Sequence, residues 1–164
     1  MSPVDYCTPE WLEESCRTYV ETPHAQPGLE NLTTKVFFRI KALPAWGIER
    51  DILFGAVVDH GKLLELAFFN EEDAGIKADF IMVATPEVWK QILRKEKKLL
   101  GEFMLGKVKL ENGNLVSAMG IIPYSSVFID ALTASGLRFP DEMSPDELVE
   151  YSRHQAEFRS QLGV

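Results

Sequence analysis

Cysteines, histidines and basic residues are scarce in this chain of 164 residues, and each shortage excludes a class of function. Cys7 and Cys16 match no zinc-ligand spacing, and such sparse cysteine use is typical of the reducing cytosol, so we expect a cytoplasmic protein. Lysine and arginine number 17 against 25 aspartates and glutamates, which gives a formal net charge of −8. Because nucleic-acid binding needs a basic face that displaces counterions from phosphates, we expect no nucleic-acid partner.

Sequence motifs for catalysis or cofactor binding are also lacking. There is no Walker loop, no G-x-G-x-x-G and no G-x-S-x-G, so we expect no cofactor, no metal and no catalytic residue of a known motif. His24, His60 and His154 have no nucleophile or metal partner by spacing. The N-terminus shows no signal-peptide pattern, and the last residues form no peroxisomal address. The longest uncharged stretch, residues 115–129, is short for a membrane span and is interrupted by Pro123.

Three helix starts are encoded by a hydroxyl residue followed by proline. Thr8-Pro9, Thr85-Pro86 and Ser144-Pro145 each place an N-cap before a proline at the first helical position, and Glu147 completes a capping box. Apolar residues follow at helical spacing. For the first helix they are Trp11, Leu12, Cys16, Tyr19 and Val20; for the second they are Val88, Trp89, Ile92 and Leu93; for the last they are Leu148, Tyr151, Phe158 and Leu162.

Strands are predicted between the first two helices. Residues 35–43 alternate as a half-buried strand, with Arg39 and Lys41 on its solvent side. Residues 51–58 are apolar on both faces and predict a central strand. Asp59-His60-Gly61 predicts a hairpin turn into residues 62–69, whose Leu64, Leu66 and Phe68 share one face. Residues 70–77 are interpreted as a polar connection, and residues 78–84 as a further strand.

The second half alternates short helices and a short strand. Leu99, Leu100, Phe103 and Met104 form the apolar stripe of a helix that Gly106 ends, and residues 107–111 predict a strand. Asn114 is a candidate cap for a helix carrying Leu115, Val116, Met119 and Ile122. Pro123 breaks or kinks that helix, and residues 127–134 predict another.

The order of these elements from about residue 34 to residue 134 resembles the sterol carrier protein 2 family. The resemblance depends on Ala78-Asp79-Phe80-Ile81-Met82, on Thr85-Pro86-Glu87-Val88-Trp89, and on Phe103-Met104-Leu105-Gly106-Lys107-Val108-Lys109-Leu110 followed by Asn112-Gly113. It implies an α+β fold with a five-stranded, mostly antiparallel sheet covered on one face by helices. It also implies an apolar tunnel between these layers that holds a sterol, fatty acid, acyl-CoA or phospholipid.

We interpret the whole chain, residues 1–164, as one lipid-binding domain. Residues 1–33 and 135–164 exceed the family core, and they are candidates for covering the tunnel mouth. The candidate ligand-binding residues are the apolar side chains of the predicted strands and helices in the core. They are Phe38, Ile40, Leu64, Leu66, Trp89, Ile92, Leu93, Leu99, Phe103, Met104, Leu115, Met119, Ile122 and Phe128. The sequence does not separate tunnel lining from ordinary hydrophobic core for any one of them, and core is the favoured interpretation of each taken singly.

Three functions are compatible with the sequence. The first is a non-catalytic carrier for a hydrophobic small molecule such as a lipid, a fatty acyl group, an isoprenoid or an aromatic. The second is an accessory subunit that docks to an enzyme of hydrophobic-compound metabolism. The third is a small enzyme that uses the tunnel, with His60 and Ser125 as its candidate residues. A basic run, Lys90, Arg94, Lys95, Lys97 and Lys98, is a candidate contact with a membrane or an enzyme, or simply a solvated helix face. The oligomeric state is left open.

Overall fold

The computed structural model describes residues 3–164, and its centre is a five-stranded sheet in the order β4-β3-β2-β5-β6. β2 and β5 are parallel, whereas the other neighbouring pairs are antiparallel. The strands are β1 (Val4–Asp5), β2 (Thr34–Ile40), β3 (Ile52–Asp59), β4 (Lys62–Phe68), β5 (Phe80–Ala84), β6 (Lys109–Asn112) and β7 (Leu137–Arg138). The expected α+β class with a five-stranded, mostly antiparallel sheet is confirmed.

Seven α-helices surround this sheet in the part of the chain that the structure describes. They are α1 (Pro9–Glu21), α2 (Glu71–Lys77), α3 (Pro86–Leu93), α4 (Leu99–Met104), α5 (Leu115–Ile121), α6 (Ser125–Thr133) and α7 (Pro145–Leu162). The three predicted N-caps are confirmed, since Thr8, Thr85 and Ser144 accept hydrogen bonds from the backbone of their own first turns. The predicted break at Pro123 is a 3-10 turn, Ile122–Tyr124, between α5 and α6.

The inner face of the sheet packs against most of these helices. Val36, Phe38 and Ile40 of β2 stand beside Ile52, Phe54 and Ala56 of β3 on this face, and the main hydrophobic core forms here. The predicted side of α1 faces the core through Trp11, Leu12 and Tyr19, but Val20 is 66% exposed. The helical stripe of α1 therefore passes through Ser15 and excludes Val20.

The outer face of the sheet is also covered, and the interpretation of β2 as a half-buried strand was wrong. Residues 70–77 form α2 and not a polar connection: Asn70 caps the helix by accepting from the Asp73 amide, and Ala74 is fully buried. A second cluster of Phe37, Leu53, Ala74, Ala78 and Ile81 fills this side. The turn chemistry of Asn70 and three acidic residues in the first helical turn were the signals for this helix.

A β-bulge in β4 changes which leucines face the core. Val57 pairs with Glu65 and Val58 pairs with Leu63, so Leu64 is the extra residue between them. Alternation is broken at that point, and both Leu63 and Leu66 turn inward while Leu64 is 62% exposed. The expectation that Leu64 shares a face with Leu66 was therefore wrong.

Because of this bulge, substitutions at two adjacent leucines should change the free energy of unfolding by very different amounts. Leu63→Ala should destabilise the fold by about 2–3 kcal/mol, because it removes a buried side chain. Leu64→Ala should change the free energy of unfolding by about 0.5 kcal/mol or less, as at other exposed sites. Urea unfolding of both variants measures the difference. Equal losses at the two positions would show that regular alternation runs through β4.

Both ends of the described chain pack onto this core. β1 pairs with β7 in parallel, and α7 binds the N-terminal segment, because Tyr151 donates to the Tyr6 carbonyl and Gln155 to the Cys7 carbonyl. Arg159 donates to the carbonyls of Arg50 and Asp51 at the start of β3. These hydrogen bonds hold α7 against the N-terminal segment and against the residues that precede β3.

Candidate functional site

A cavity of about 90 Å³ lies between the inner face of the sheet and the helices. Its floor consists of apolar side chains from four neighbouring strands and of Leu32, which precedes β2. Its roof consists of side chains from the N-terminal segment and from the helices. The floor residues are Leu32, Val36, Phe38, Phe54, Ala56, Leu63, Leu66 and Met82. The roof residues are Tyr6, Trp11, Ser15, Tyr19, Trp89, Ile92, Leu93, Leu99, Ile121, Ile122, Ser125, Phe128, Ile129, Ala131 and Leu132.

Three aromatic residues of the wall donate their polar hydrogens to backbone carbonyls. Trp11 Nε1 donates to the Leu132 carbonyl at 2.7 Å, and Trp89 Nε1 donates to the Arg39 carbonyl at 3.0 Å. The Tyr19 hydroxyl donates to the Gly61 carbonyl at 2.8 Å. Because these donors are already satisfied, the rings offer the cavity apolar surface, and the lining suits a molecule without many hydrogen-bonding groups.

Eight of the predicted ligand-binding residues come together in this wall. They are Phe38, Leu66, Trp89, Ile92, Leu93, Leu99, Ile122 and Phe128. Two others are inside the fold but outside the cavity wall. Ile40 is fully buried at the end of β2, two residues beyond Phe38, and Phe103 is half-buried against the main core.

The other four predicted residues point away from the cavity. Leu64 is turned outward by the bulge, and Met104 is 70% exposed at the end of α4. Leu115 and Met119 lie on the outer side of α5, because the inward stripe of this helix runs through Ala118, Ile121 and Ile122. The predicted stripe was out of phase by about one residue, as is common for a helix of two turns with few polar residues to fix its orientation.

Sequence reasoning missed the contribution of the N-terminal segment. Tyr6, Trp11, Ser15 and Tyr19 are all in the wall, although they precede the part of the chain that carries the family resemblance. The apolar stripe of α1 was the available signal. Residues 1–33 contribute to the cavity wall, whereas none of residues 135–164 is among those that line it. That the two extensions cover the tunnel mouth stays a prediction.

The roof formed by α5 and α6 is strongly apolar, and few of its residues are fully buried. Residues Leu115–Thr133 have a mean hydropathy of 1.6, and 17% of them are buried. By length and composition alone this run is a candidate membrane span. Its inner side chains, among them Ile122 and Phe128, line the cavity, while Val116 is 79% exposed. This roof therefore has apolar side chains on both its inner and its outer surface.

Most of the basic run is engaged in ion pairs. Lys90 Nζ lies 2.9 Å from an Asp141 carboxylate oxygen. Arg94 Nη2 lies 2.7 Å from Glu142, and Lys95 Nζ lies 2.7 Å from Asp130. Among the residues that the structure describes, Lys97 and Lys98 form no such pair. Three members of the run thus hold α3 to the neighbouring chain segments.

The candidate residues for enzymatic function are separated in the fold. Ser125 lies in the cavity wall, whereas the His60 side chain is 73% exposed in the β3–β4 turn, beside Asp59. Cys7 is fully buried, and burial raises the pKa of its thiol, so the group stays protonated and unreactive at neutral pH. Within residues 3–164, no three histidine, cysteine or acidic side chains are grouped to hold a metal ion.

The comparisons with known proteins identify the fold. No protein-family model matches the chain, and no curated protein matches it. Among solved structures, a conserved hypothetical protein from Thermus thermophilus, described as a possible sterol carrier protein, has a TM-score of 0.69 at 17% identity over 84% of this chain and 94% of that chain. A sterol carrier protein 2 crystal structure has a TM-score of 0.60 at 17% identity over 78% of this chain and 95% of that chain. The chain has the sterol carrier protein 2-like fold, as the sequence resemblance implied.

Proposed function

We propose that this protein is a non-catalytic carrier that holds one hydrophobic small molecule in the cavity between the sheet and the helices. The observation that carries the proposal is the wall itself, in which the polar hydrogens of Trp11, Trp89 and Tyr19 are bound by backbone carbonyls and apolar surface faces inward. The fold shared with sterol carrier protein 2 supports the same conclusion. A lipid, a fatty acyl compound, an isoprenoid or an aromatic fits this chemistry.

The cavity must widen when such a molecule enters. Its volume of about 90 Å³ is below the roughly 300–1,000 Å³ of pockets that enclose drug-sized ligands. The roof of α5 and α6 is the side that can move, because few of its residues are buried. We therefore expect the ligand-bound form to differ mainly in the position of these helices, while the sheet stays in place.

The expected affinity is moderate. Burial of a long alkyl chain yields about 0.8 kcal/mol per methylene. Association costs roughly 4–15 kcal/mol, and widening the cavity adds to this cost. A modest net free energy of binding suits a carrier, because the bound molecule must also be released.

We propose that the basic run contacts the membrane when the bound molecule is released. Lys97 and Lys98 precede α4, and they are the members of the run that have no ion pair in the described part of the chain. Leu100 and Met104 of α4 are exposed, while Leu99 of the same helix lines the cavity. A contact of these lysines with anionic headgroups would place an apolar helix at the lipid surface, next to the cavity.

The proposal is tested by native mass spectrometry of the purified protein, followed by organic extraction and identification of any bound compound. A stoichiometric apolar adduct is expected from freshly purified protein, or after incubation with hexadecanoic acid or hexadecanol. A protein that carries no adduct and takes up neither probe would contradict the carrier function.

Tryptophan fluorescence locates the bound molecule. Trp11 and Trp89 line the cavity, whereas Trp46 is buried outside it. We expect added ligand to change the emission of the wild-type protein and of Trp46→Phe alike. The change should be reduced in Trp11→Phe and Trp89→Phe, since each removes one of the two reporting rings. A response that depends on Trp46 would place the ligand elsewhere.

A further inference from the structure

Tyr6 is the residue of the cavity wall that connects the apolar cavity to the C-terminal helix α7. Its side chain lines the cavity and is 1% exposed to solvent. The ring also contacts Phe139, with centroids 4.8 Å apart, and the Tyr6 carbonyl accepts a hydrogen bond from Tyr151 of α7. Neither Phe139 nor Tyr151 is among the residues that line the cavity. Tyr6 therefore separates the cavity from the residues that are packed behind it.

The residues behind Tyr6 are themselves aromatic and buried. Phe139 is fully buried, and its ring centroid lies 6.4 Å from that of Trp46, which is also buried outside the cavity. A smaller side chain at position 6 would add the volume of the Tyr6 ring to the cavity. The new boundary on this side would then be the apolar ring of Phe139.

The backbone of Tyr6 is held on both sides by hydrogen bonds. The Tyr6 amide donates to the Arg138 carbonyl at 2.9 Å, and its carbonyl accepts from the Tyr151 hydroxyl. The carbonyl of the next residue, Cys7, accepts from Gln155 Nε2 at 2.7 Å. Both α7 side chains are 3% exposed, so these bonds are shielded from water and are stronger than bonds at the surface.

The conformation of Cys7 shows that its surroundings impose the path of this segment. Cys7 has a φ of 56°, a left-handed conformation that residues other than glycine adopt rarely and at a cost. The carbonyls of Tyr6 and Cys7 belong to the two peptide groups that flank this residue, and α7 binds both of them. The hydrogen bonds from α7 thus fix the turn that directs the Tyr6 ring into the wall.

We propose that Tyr6 limits the size of the molecule that the cavity accepts, and that Tyr151 and Gln155 of α7 are positioning residues that hold Tyr6 in the wall. The inference rests on the proposed carrier function and deepens it by naming a residue that determines ligand size. The roof of α5 and α6 can move because few of its residues are buried, whereas the hydrogen bonds from α7 keep Tyr6 in place. The C-terminal helix therefore restricts the ligand without lining the cavity.

The experiment is a competition between hexadecanoic acid and icosanoic acid, which share the carboxyl group and differ in chain length. Equal amounts of both are delivered from cyclodextrin, and native mass spectrometry counts the two adducts. The ratio of icosanoate to hexadecanoate adduct does not depend on the fraction of protein that is folded, so a merely structural role of Tyr6 would leave it unchanged.

Tyr6→Ala should raise this ratio by at least about tenfold over the wild type, since about two further methylenes of the longer chain become buried. Tyr6→Leu retains more of the packing and makes room for about one methylene, so it should raise the ratio by about fourfold. The leucine variant provides the test if the alanine variant does not fold. Tyr6→Phe is the matched control, because it keeps the ring, and its ratio should equal that of the wild type.

Tyr151→Phe tests the positioning role. It removes the hydroxyl that binds the Tyr6 carbonyl and should raise the ratio by about threefold, because the wall can then retreat. Phe158→Leu is the control on the same helix. Its ring packs on Phe68 at 5.3 Å, away from Tyr6, so the substitution should lower stability and leave the ratio unaltered.

The outcomes separate this inference from the carrier function. A ratio equal to that of the wild type in both Tyr6→Ala and Tyr6→Leu would overturn the role of Tyr6 while preserving the carrier function. Equal shifts in Tyr151→Phe and Phe158→Leu would overturn the positioning role of α7. A wild-type protein that forms an adduct with neither acid would overturn both the inference and the carrier function.

Discussion

Ala56→Leu should weaken the binding of apolar ligands by about a hundredfold and leave the protein folded. Ala56 is buried on β3 in the middle of the cavity floor, between Val36 on one neighbouring strand and Leu66 on the other. The added carbons of leucine enter the space of about 90 Å³ that the ligand has to occupy. Exclusion of three or four ligand methylenes costs about 3 kcal/mol, which weakens binding by about a hundredfold.

The stability of this variant separates occlusion from unfolding. Filling existing empty space should change the free energy of unfolding by about 1 kcal/mol or less. Ala67→Leu is the matched control, because Ala67 lies on the neighbouring strand with its side chain on the outer face, opposite Gly55. It should bind hexadecanol or hexadecanoic acid as the wild type does. Unchanged affinity in Ala56→Leu, measured by tryptophan fluorescence, would mean that the ligand does not lie on this part of the sheet.

The elements of this fold that were predictable have local causes. The caps at Thr8, Thr85 and Ser144 are each decided by a few neighbouring residues, and so is the turn at His60-Gly61, where both residues have positive φ. The helix after Asn70 was also predictable from its N-cap. Its many charged residues suggested a polar connection, although Ala74 is buried against the sheet. Capping chemistry was a better guide there than hydrophobicity.

The cavity was predictable in part, because its floor depends on strand register. Alternation of apolar residues correctly placed Phe38 and Leu66 on the inner face. The bulge that turns Leu64 outward arises from the pairing of β4 with β3, and the sequence of β4 alone does not indicate it. The contribution of Trp11 and Tyr19 depends on where α1 docks. That position is decided by contacts with α6, such as the hydrogen bond from Trp11 to Leu132, across more than a hundred residues of chain.

Arg39 is the residue whose burial differs most from what the alternation of polar and apolar residues predicts, and long-range contacts are the cause. Alternation placed it on a solvent-facing side, yet it is 7% exposed. Its guanidinium donates to Glu71 of α2 at 2.7 Å, to Glu111 of β6 at 2.7 and 3.0 Å, and to Asp51 at 3.2 Å. Glu111 reaches it from a second bulge, since Ile81 pairs with Asn112 and Met82 with Leu110. One buried cation thus joins three carboxylates from separate parts of the chain.

Arg39→Met should destabilise the fold by about 3 kcal/mol at neutral pH, because it leaves three neighbouring carboxylates without their common partner. The value lies at the low end for buried pairs, since the Glu71 side chain is 68% exposed and water screens part of the repulsion. Lys77→Met is the matched control on the same face. Its ion pair with Glu65 is partly exposed on both sides, so we expect a loss of about 0.5 kcal/mol.

The pH dependence of this loss identifies its electrostatic origin. The hydrogen bond from Arg39 lowers the pKa of Glu71 below its usual value of 4.5, so the folded state holds the ionised carboxylate more firmly than the unfolded chain does. The stabilisation is therefore complete above pH 4.5 and is lost as the pH falls through the lowered pKa of the folded state. Urea unfolding should show a large difference between wild type and Arg39→Met at neutral pH and a smaller one at about pH 3. A difference that stays constant with pH would mean that Arg39 stabilises the sheet by packing of its methylene groups and not by its charge.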